Sequence, residues 1–187
     1  MASQSTTWHD DHVRFSRLLD LLEEQIDEFH EGGYPDIERM REIITYLHEY
    51  GDSTHHPREN AAFARLLVAD PTLRLPVNRL LQEHRAITAA GEELLLLLDD
   101  VIAGAVVRRE RVEAAAALYL AYYRHHLATE ENQILPRTVH LLKPEDWRAV
   151  AEAVPMGADP LFGDPPSETY RELRAWLEEK ASTQVAQ

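Results

Sequence analysis

The chain has 187 residues, of which 33 are acidic and 19 basic, giving a formal net charge of −14. That balance repels phosphate backbones and anionic membranes and so argues against nucleic acid or lipid surfaces as partners. There is no cysteine, which excludes disulfides, iron–sulfur clusters and thiolate ligands, so any metal must be held by nitrogen and oxygen.

The segment Met1-Ala-Ser-Gln-Ser-Thr-Thr7 has neither the basic nor the apolar part of a signal peptide. The longest apolar run, Leu94 to Leu98, is closed by Glu93 and Asp99 and falls far short of the ~20 residues of a membrane span. The sequence therefore predicts a soluble, cytoplasmic protein, long enough for a single four-helix core with a peripheral segment.

In chain order, a first helix is expected from near Trp8 to His30, stopped by Gly32-Gly33, with an apolar stripe at His12, Phe15, Leu19, Leu22, Ile26 and Phe29. A second starts after Pro35 with the stripe Ile37, Met40, Ile44, Leu47, Gly51, His55, Glu59, Phe63 and Leu66. It must kink or briefly break around Gly51 to His56, because Pro57 has no N–H and disfavours helical geometry just before it. The third opens with Pro76 in its first turn and runs to about Ala103 through Val77, Leu80, His84, Ile87, Gly91, Leu94, Leu98 and Val101. The fourth spans about Arg108 to Leu142, with Val112, Ala116, Tyr119, Tyr123, His126 and Glu130 in its stripe and a second kink at Pro136.

Beyond Lys143-Pro144 a shorter helix over Glu145 to Val154 is expected, then loops at Gly157-Ala-Asp-Pro160 and Gly163-Asp-Pro-Pro166, then a last helix from about Ser167 to Ala181. Its apolar residues Tyr170, Leu173, Trp176 and Leu177 predict docking on the bundle or on a second subunit, so a homodimer is one reading. The expected fold is all-α: an antiparallel up-and-down four-helix bundle over residues 1–142 and a C-terminal helical extension over 143–187.

Four histidines thus fall in four apolar seams, and a polar group facing a core must be hydrogen-bonded, ionised against a partner or bound to a metal. His55 and His126 each carry a glutamate one turn on, Glu59 and Glu130, so each pair can offer a nitrogen and a carboxylate to one point. His12 lies about 18 residues before the first turn and His55 about 19 after it, which at ~1.5 Å per residue sets them level. Counting from the last turn levels His84 with His126 in the same way. His12, His55, Glu59, His84, His126 and Glu130 converge on one layer, the ligand pattern of a bundle-core metal pair.

His9, His30, His48 and His140 are expected on flanks or ends. His56 and His125 adjoin chosen ligands but lie roughly 100° further round a helix, so support or solvent exposure is expected of them rather than binding. The tyrosines Tyr119, Tyr122 and Tyr123 are expected to pack in the core, although Tyr122 or Tyr123 can reach the site.

The order His12, His55xxxGlu59, His84, His126xxxGlu130 resembles the hemerythrin-like, or HHE cation-binding, proteins, in the bacterial branch with an H-HxxxE-H-HxxxE pattern. Local strings fit the resemblance too: His55-His-Pro-Arg-Glu59, Leu80-Leu-Gln-Glu-His84, and Tyr123-Arg-His-His126 with Glu130-Glu-Asn-Gln-Ile-Leu-Pro136. The resemblance covers about residues 8–142 and implies two iron ions with an oxo or hydroxo bridge, His12 and His55 on one, His84 and His126 on the other, and Glu59 and Glu130 bridging. Zinc or manganese suits the same donors.

Unlike the oxygen carriers of that family, the chain has Thr88 four residues after His84, which implies an iron short of its third histidine and an exchangeable position there. The functions implied are binding or sensing of O2, peroxide, nitric oxide or iron, or decomposition of peroxide as an enzyme. The rival is a metal-free interaction bundle, which must explain six buried polar groups without a cation.

Overall fold

The computed structural model describes residues 4–185, and among these every regular element is helical. Helix α1 spans Gln4–His30, α2 Ile37–Tyr50, α3 His56–Ala69, α4 Arg74–Ile102, α5 Arg109–Thr129, α6 Leu135–Leu141, α7 Pro144–Ala153 and α8 Arg171–Val185. The first turn is made where Gly32 takes φ of 87°, a left-handed conformation that favours glycine. Asp36 then caps α2 by accepting from the Arg39 N–H at 3.0 Å.

The two expected kinks take a particular form. Gly51–His55 and Glu130–Ile134 are π-helical turns that join α2 to α3 and α5 to α6 without a break. In each, a prolyl residue follows (Pro57, Pro136), and the widened pairing ends just ahead of it, His56 N–H on Gly51 C=O and Leu135 N–H on Glu130 C=O. Such a turn inserts one extra residue, so successive side chains rotate by less than in an α-helix and neighbours share a face more nearly. The chain follows this path closely packed: a Cβ at Gly51 would stand 3.2 Å from the Tyr123 hydroxyl.

Apolar burial divides into two bodies. The larger gathers Phe15, Leu19, Ile44, Leu94, Tyr119 and Tyr123 with their neighbours; the smaller gathers Trp8, Phe63, Leu66, Leu80, Ile134 and Val150. Between them, buried, lie His12, His55, His56, Glu59, His84, His126 and Glu130. The polar layer is thus sealed on both sides by residues that the same helices supply at three- and four-residue steps.

The C-terminal segment packs on the same molecule. Leu161, Tyr170, Leu173 and Leu177 are buried within the larger core. Tyr46 donates to Asp159 at 3.1 Å, Tyr170 to Glu49 at 2.7 Å, and Arg17 to the Leu177 carbonyl at 3.0 Å. Between helices, His9 meets Glu131, Asp20 meets Arg124 and His30 meets Glu113. Likewise Arg41 meets Asp99 and Thr88 meets Asp52, while Arg79 meets His125 and Arg111 meets Glu93. Among the described residues no helix is long and apolar enough to cross a membrane.

Candidate metal centre

Two sets of donor atoms lie close enough together to hold a cation each. One is His12, His55, Glu59 and Glu130; the other is His56, Glu59, His84 and His126; within each set the ligand atoms all lie within 4.8 Å of one another, and every member is buried. All six residues singled out in the sequence are in these sets, with His12 grouped with His55 and His84 with His126.

Glu59 belongs to both and divides its oxygens between them. Its Oε1 is 2.7 Å from His55 Nε2 and 3.3 Å from His12 Nε2, while its Oε2 is 3.3 Å from His84 Nε2. Glu130 reaches across as well, with Oε2 at 3.2 Å from His12 Nε2 and 3.5 Å from His126 Nε2, and Oε1 at 3.9 Å from His84 Nε2.

One residue of these sets, His56, lies outside the six. Of its two expectations, support of the site or solvent exposure, the structure excludes exposure: it is buried, its ring stacks on His84 at 4.2 Å, and its Nε2 has no hydrogen-bond partner. The physical reason is the π-helical turn ahead of it, which turns both His55 and His56 toward the layer; α-helical spacing would have set them a quarter-turn or more apart. The Thr88 hydroxyl donates to Asp52 Oδ2 at 2.8 Å, and His56 offers a further imidazole to the set that contains His84 and His126.

Other expectations sort by register. His125 is exposed and pairs with Glu83, one residue from a fully buried His126. Tyr122 is exposed and points away from the layer, whereas Tyr123 is fully buried with its hydroxyl unpartnered beside Gly51. His9, His30 and His140 lie outside the core, and His48 is half-buried against Asp52.

Four of the five imidazoles are held from behind by a carboxylate. His12 Nδ1 donates to Glu131 (2.7 Å), His55 Nδ1 to Asp11 (3.2 Å), His56 Nδ1 to Asp52 (2.9 Å) and His126 Nδ1 to Glu83 (3.4 Å). With the proton fixed on Nδ1, each ring turns its Nε2 lone pair to the centre, the tautomer and orientation a metal ligand needs. The Trp8 indole N–H, 2.9 Å from His12 Nε2, also addresses a lone pair there. Of these carboxylates only Asp52 stands at a telling spacing, one turn before its histidine; Asp11, Glu83 and Glu131 act across helices and leave no local signal.

The fit to cations rests on orphaned atoms. His55 Nε2, His56 Nε2, Glu59 Oε2 and both oxygens of Glu130 are buried without hydrogen-bond partners. His55 Nε2 stands 2.7 Å from Glu59 Oε1 without the geometry of a hydrogen bond, so that nitrogen too is left unpartnered. Buried polar atoms left so cost roughly 1–3 kcal/mol each, a cost that a shared cation removes.

Without a cation the protons are strained. Burial pushes His55 down, but the nearby charge of Glu59 and the hydrogen bond to Asp11 outweigh it and raise it to about 9. His12 is likewise disfavoured by burial yet held well above the usual histidine value by Glu130, Glu131 and Glu59. His56 goes the other way: burial lowers it to about 4, which Asp52 only partly opposes. Burial and the neighbouring charge of Glu59 raise Glu130, while Glu59 itself is held low, against its burial, by His55, His12 and His84. Two carboxylates so close cannot both ionise cheaply unless positive charge lies between them.

The family model described as the Hemerythrin HHE cation binding domain matches residues 4–138. No curated protein and no solved structure matches the chain.

Proposed function

The chain belongs to the hemerythrin HHE cation-binding family, and from that premise we propose that it is a non-haem di-iron protein that binds or senses O2, peroxide, nitric oxide or iron. The observation that carries the reading is the pair of abutting donor sets joined through Glu59, with orphaned buried nitrogens and oxygens turned to their centres. His12, His55, Glu59 and Glu130 would hold one ion, and His56, His84, His126 and Glu59 the other, with Glu130 reaching both. Imidazole and carboxylate suit iron, and zinc or manganese would accept the same donors. Two iron ions, when bound, supply an electron-exchanging Lewis-acid centre.

The protein's own part is positioning and exclusion. Asp11, Asp52, Glu83 and Glu131 keep protons on Nδ1 of their histidines, and the two apolar bodies keep bulk water from the layer. We read the four long segments as an antiparallel up-and-down bundle over residues 1–142: contacts climb α1 from His9 to His30 as they descend α5 from Glu131 to Glu113, and the pairs joining α2 to α4 and α4 to α5 run in the same opposed sense. Of the 143–187 extension, α7 and α8 fall among the described residues. The acidic balance suits a cytoplasmic protein with no nucleic-acid partner.

A second reading, a peroxide-decomposing enzyme, is favoured by one feature. His12 Nδ1, Glu131 and the exposed His9 form a hydrogen-bonded chain with steps of 2.7 and 3.0 Å, a route by which a proton at His12 Nδ1 reaches solvent, as turnover requires. Iron content and steady-state peroxide consumption test both: bound iron without turnover supports binding or sensing, bound iron with sustained consumption supports the enzyme, and absence of iron affinity leaves the interaction bundle.

A further inference from the structure

A cavity of about 20 Å³ lies against the His12/His55 half of the layer, walled from the bundle by Trp8, Asp11, His55, Arg58 and Glu59 among others, and by Trp147 and Val150 from α7. Helix α7, Pro144–Ala153, lies wholly outside the region that the family model matches. It is firmly held there. Val150 is buried in the same apolar body as Trp8 and Phe63, Trp147 packs against that body, and Arg58, the residue before Glu59, donates to the Val154 carbonyl at 2.8 Å. A space of this size takes roughly one water-sized molecule. Two of its walls are side chains of the donor set, so a molecule that enters stands beside the metal position, and the opposite wall is contributed by the extension.

We propose that α7 makes the centre size-selective, with Trp147 and Val150 as the residues that set the limit: molecules of two heavy atoms, the class of O2, nitric oxide and hydrogen peroxide, reach the His12/His55 position, and branched or aromatic ones do not. The inference rests on the metal reading above. Asp11 and Glu59 on one hand and Arg58 on the other put charge of both signs on its bundle side, so size rather than charge sets the limit. The extension thereby acts on the site directly, as part of its wall.

The test compares the intact chain with Trp147→Ala and Val150→Leu, each reloaded with ferrous iron under argon. Oxidation by hydrogen peroxide and by cumene hydroperoxide is followed by absorbance, and iron removal by the chelator bipyridine is timed separately. Pocket walls of this kind discriminate by about 10–200-fold per misfit group, so hydrogen peroxide should outrun cumene hydroperoxide by about 100-fold in the unmodified protein. Trp147→Ala should narrow that ratio at least tenfold by admitting the bulky peroxide, and should speed bipyridine extraction, with the hydrogen peroxide rate within about threefold. Val150→Leu adds one methylene to the void and should slow hydrogen peroxide by about tenfold at unchanged iron content. General loosening would move both variants in one direction, so opposite shifts identify the wall. An unchanged ratio in Trp147→Ala, or an unchanged hydrogen peroxide rate in Val150→Leu, overturns the size limit alone; failure of the unmodified chain to take up iron overturns the metal reading with it.

Discussion

The two halves of the metal layer share Glu59 but are built differently. The His12/His55 half has two imidazoles, a second buried carboxylate in Glu130, and a small cavity at its side. The His56/His84/His126 half has three imidazoles, two of them stacked, around Glu59, with Glu130 only reaching in from the other set. Their unmetallated protonation is opposed as well, His55 raised to about 9 and His56 lowered to about 4. If each set holds an ion, nitrogen-rich closure and oxygen-rich access would fall to different ions, so exogenous ligands should meet the His12/His55 side. The lack of a second histidine at Thr88 points instead to the other ion, and the two readings predict opposite sides for ligand entry.

The sharpest way to break the comparison is to remove what the halves share. Glu59→Ala should abolish both ions, reducing metal from two per chain to near zero by elemental analysis with the helical circular dichroism retained, because each half loses a ligand and the compensating charge at once. If one ion survived, Glu59 would belong to a single half.

The next effect is one-sided. His56→Ala should cost the ion of the three-histidine half and leave the other, halving the metal content, whereas His125→Ala should leave both. Equal retention in the two variants would return His56 to a supporting role.

How much of this was legible in the sequence follows from these residues. The helices and their seams were, because burial at three- and four-residue steps dictates both, and so was the burial of His126 against the exposure of His125. His56 was not, because its place depends on a π-helical turn, and only the pairing of Gly51 with Pro57 hints at that widening. Asp11, Glu83 and Glu131 were not legible either: they reach their histidines across helices, and within their own segments they are indistinguishable from solvated acids.

Those carboxylates sharpen the comparison at smaller scale. Asp52→Asn should weaken the three-histidine ion by about 10–100-fold in chelator competition, the usual cost of losing a carboxylate behind a ligating imidazole, and leave the other ion within a few-fold. Thr88→Val, which frees Asp52 of one hydrogen bond, should cost only a few-fold in the same assay. Equal weakening of both ions by Asp52→Asn would show the halves to be one coupled unit.

The smallest expected effect lies in the metal-free protein. His56 has its pKa lowered by folding, so the unfolded chain binds more protons between pH 6.5 and about 4, and stability falls as pH drops through that window. His55 has its pKa raised, so its contribution is complete below pH 6.5 and is lost as pH rises toward about 9. Urea unfolding with chelator present should therefore show a maximum near neutrality, and His56→Asn should flatten the acid limb by on the order of 1–3 kcal/mol. An acid limb untouched by His56→Asn would place its cause elsewhere.

The central claim is that two abutting, unlike metal positions occupy one layer. It is tested most directly by anaerobic titration of the metal-free protein with ferrous iron, read by calorimetry and confirmed by iron per chain after desalting. The account predicts saturation at two equivalents, with two resolvable affinities; saturation at one equivalent, or no uptake, would contradict it.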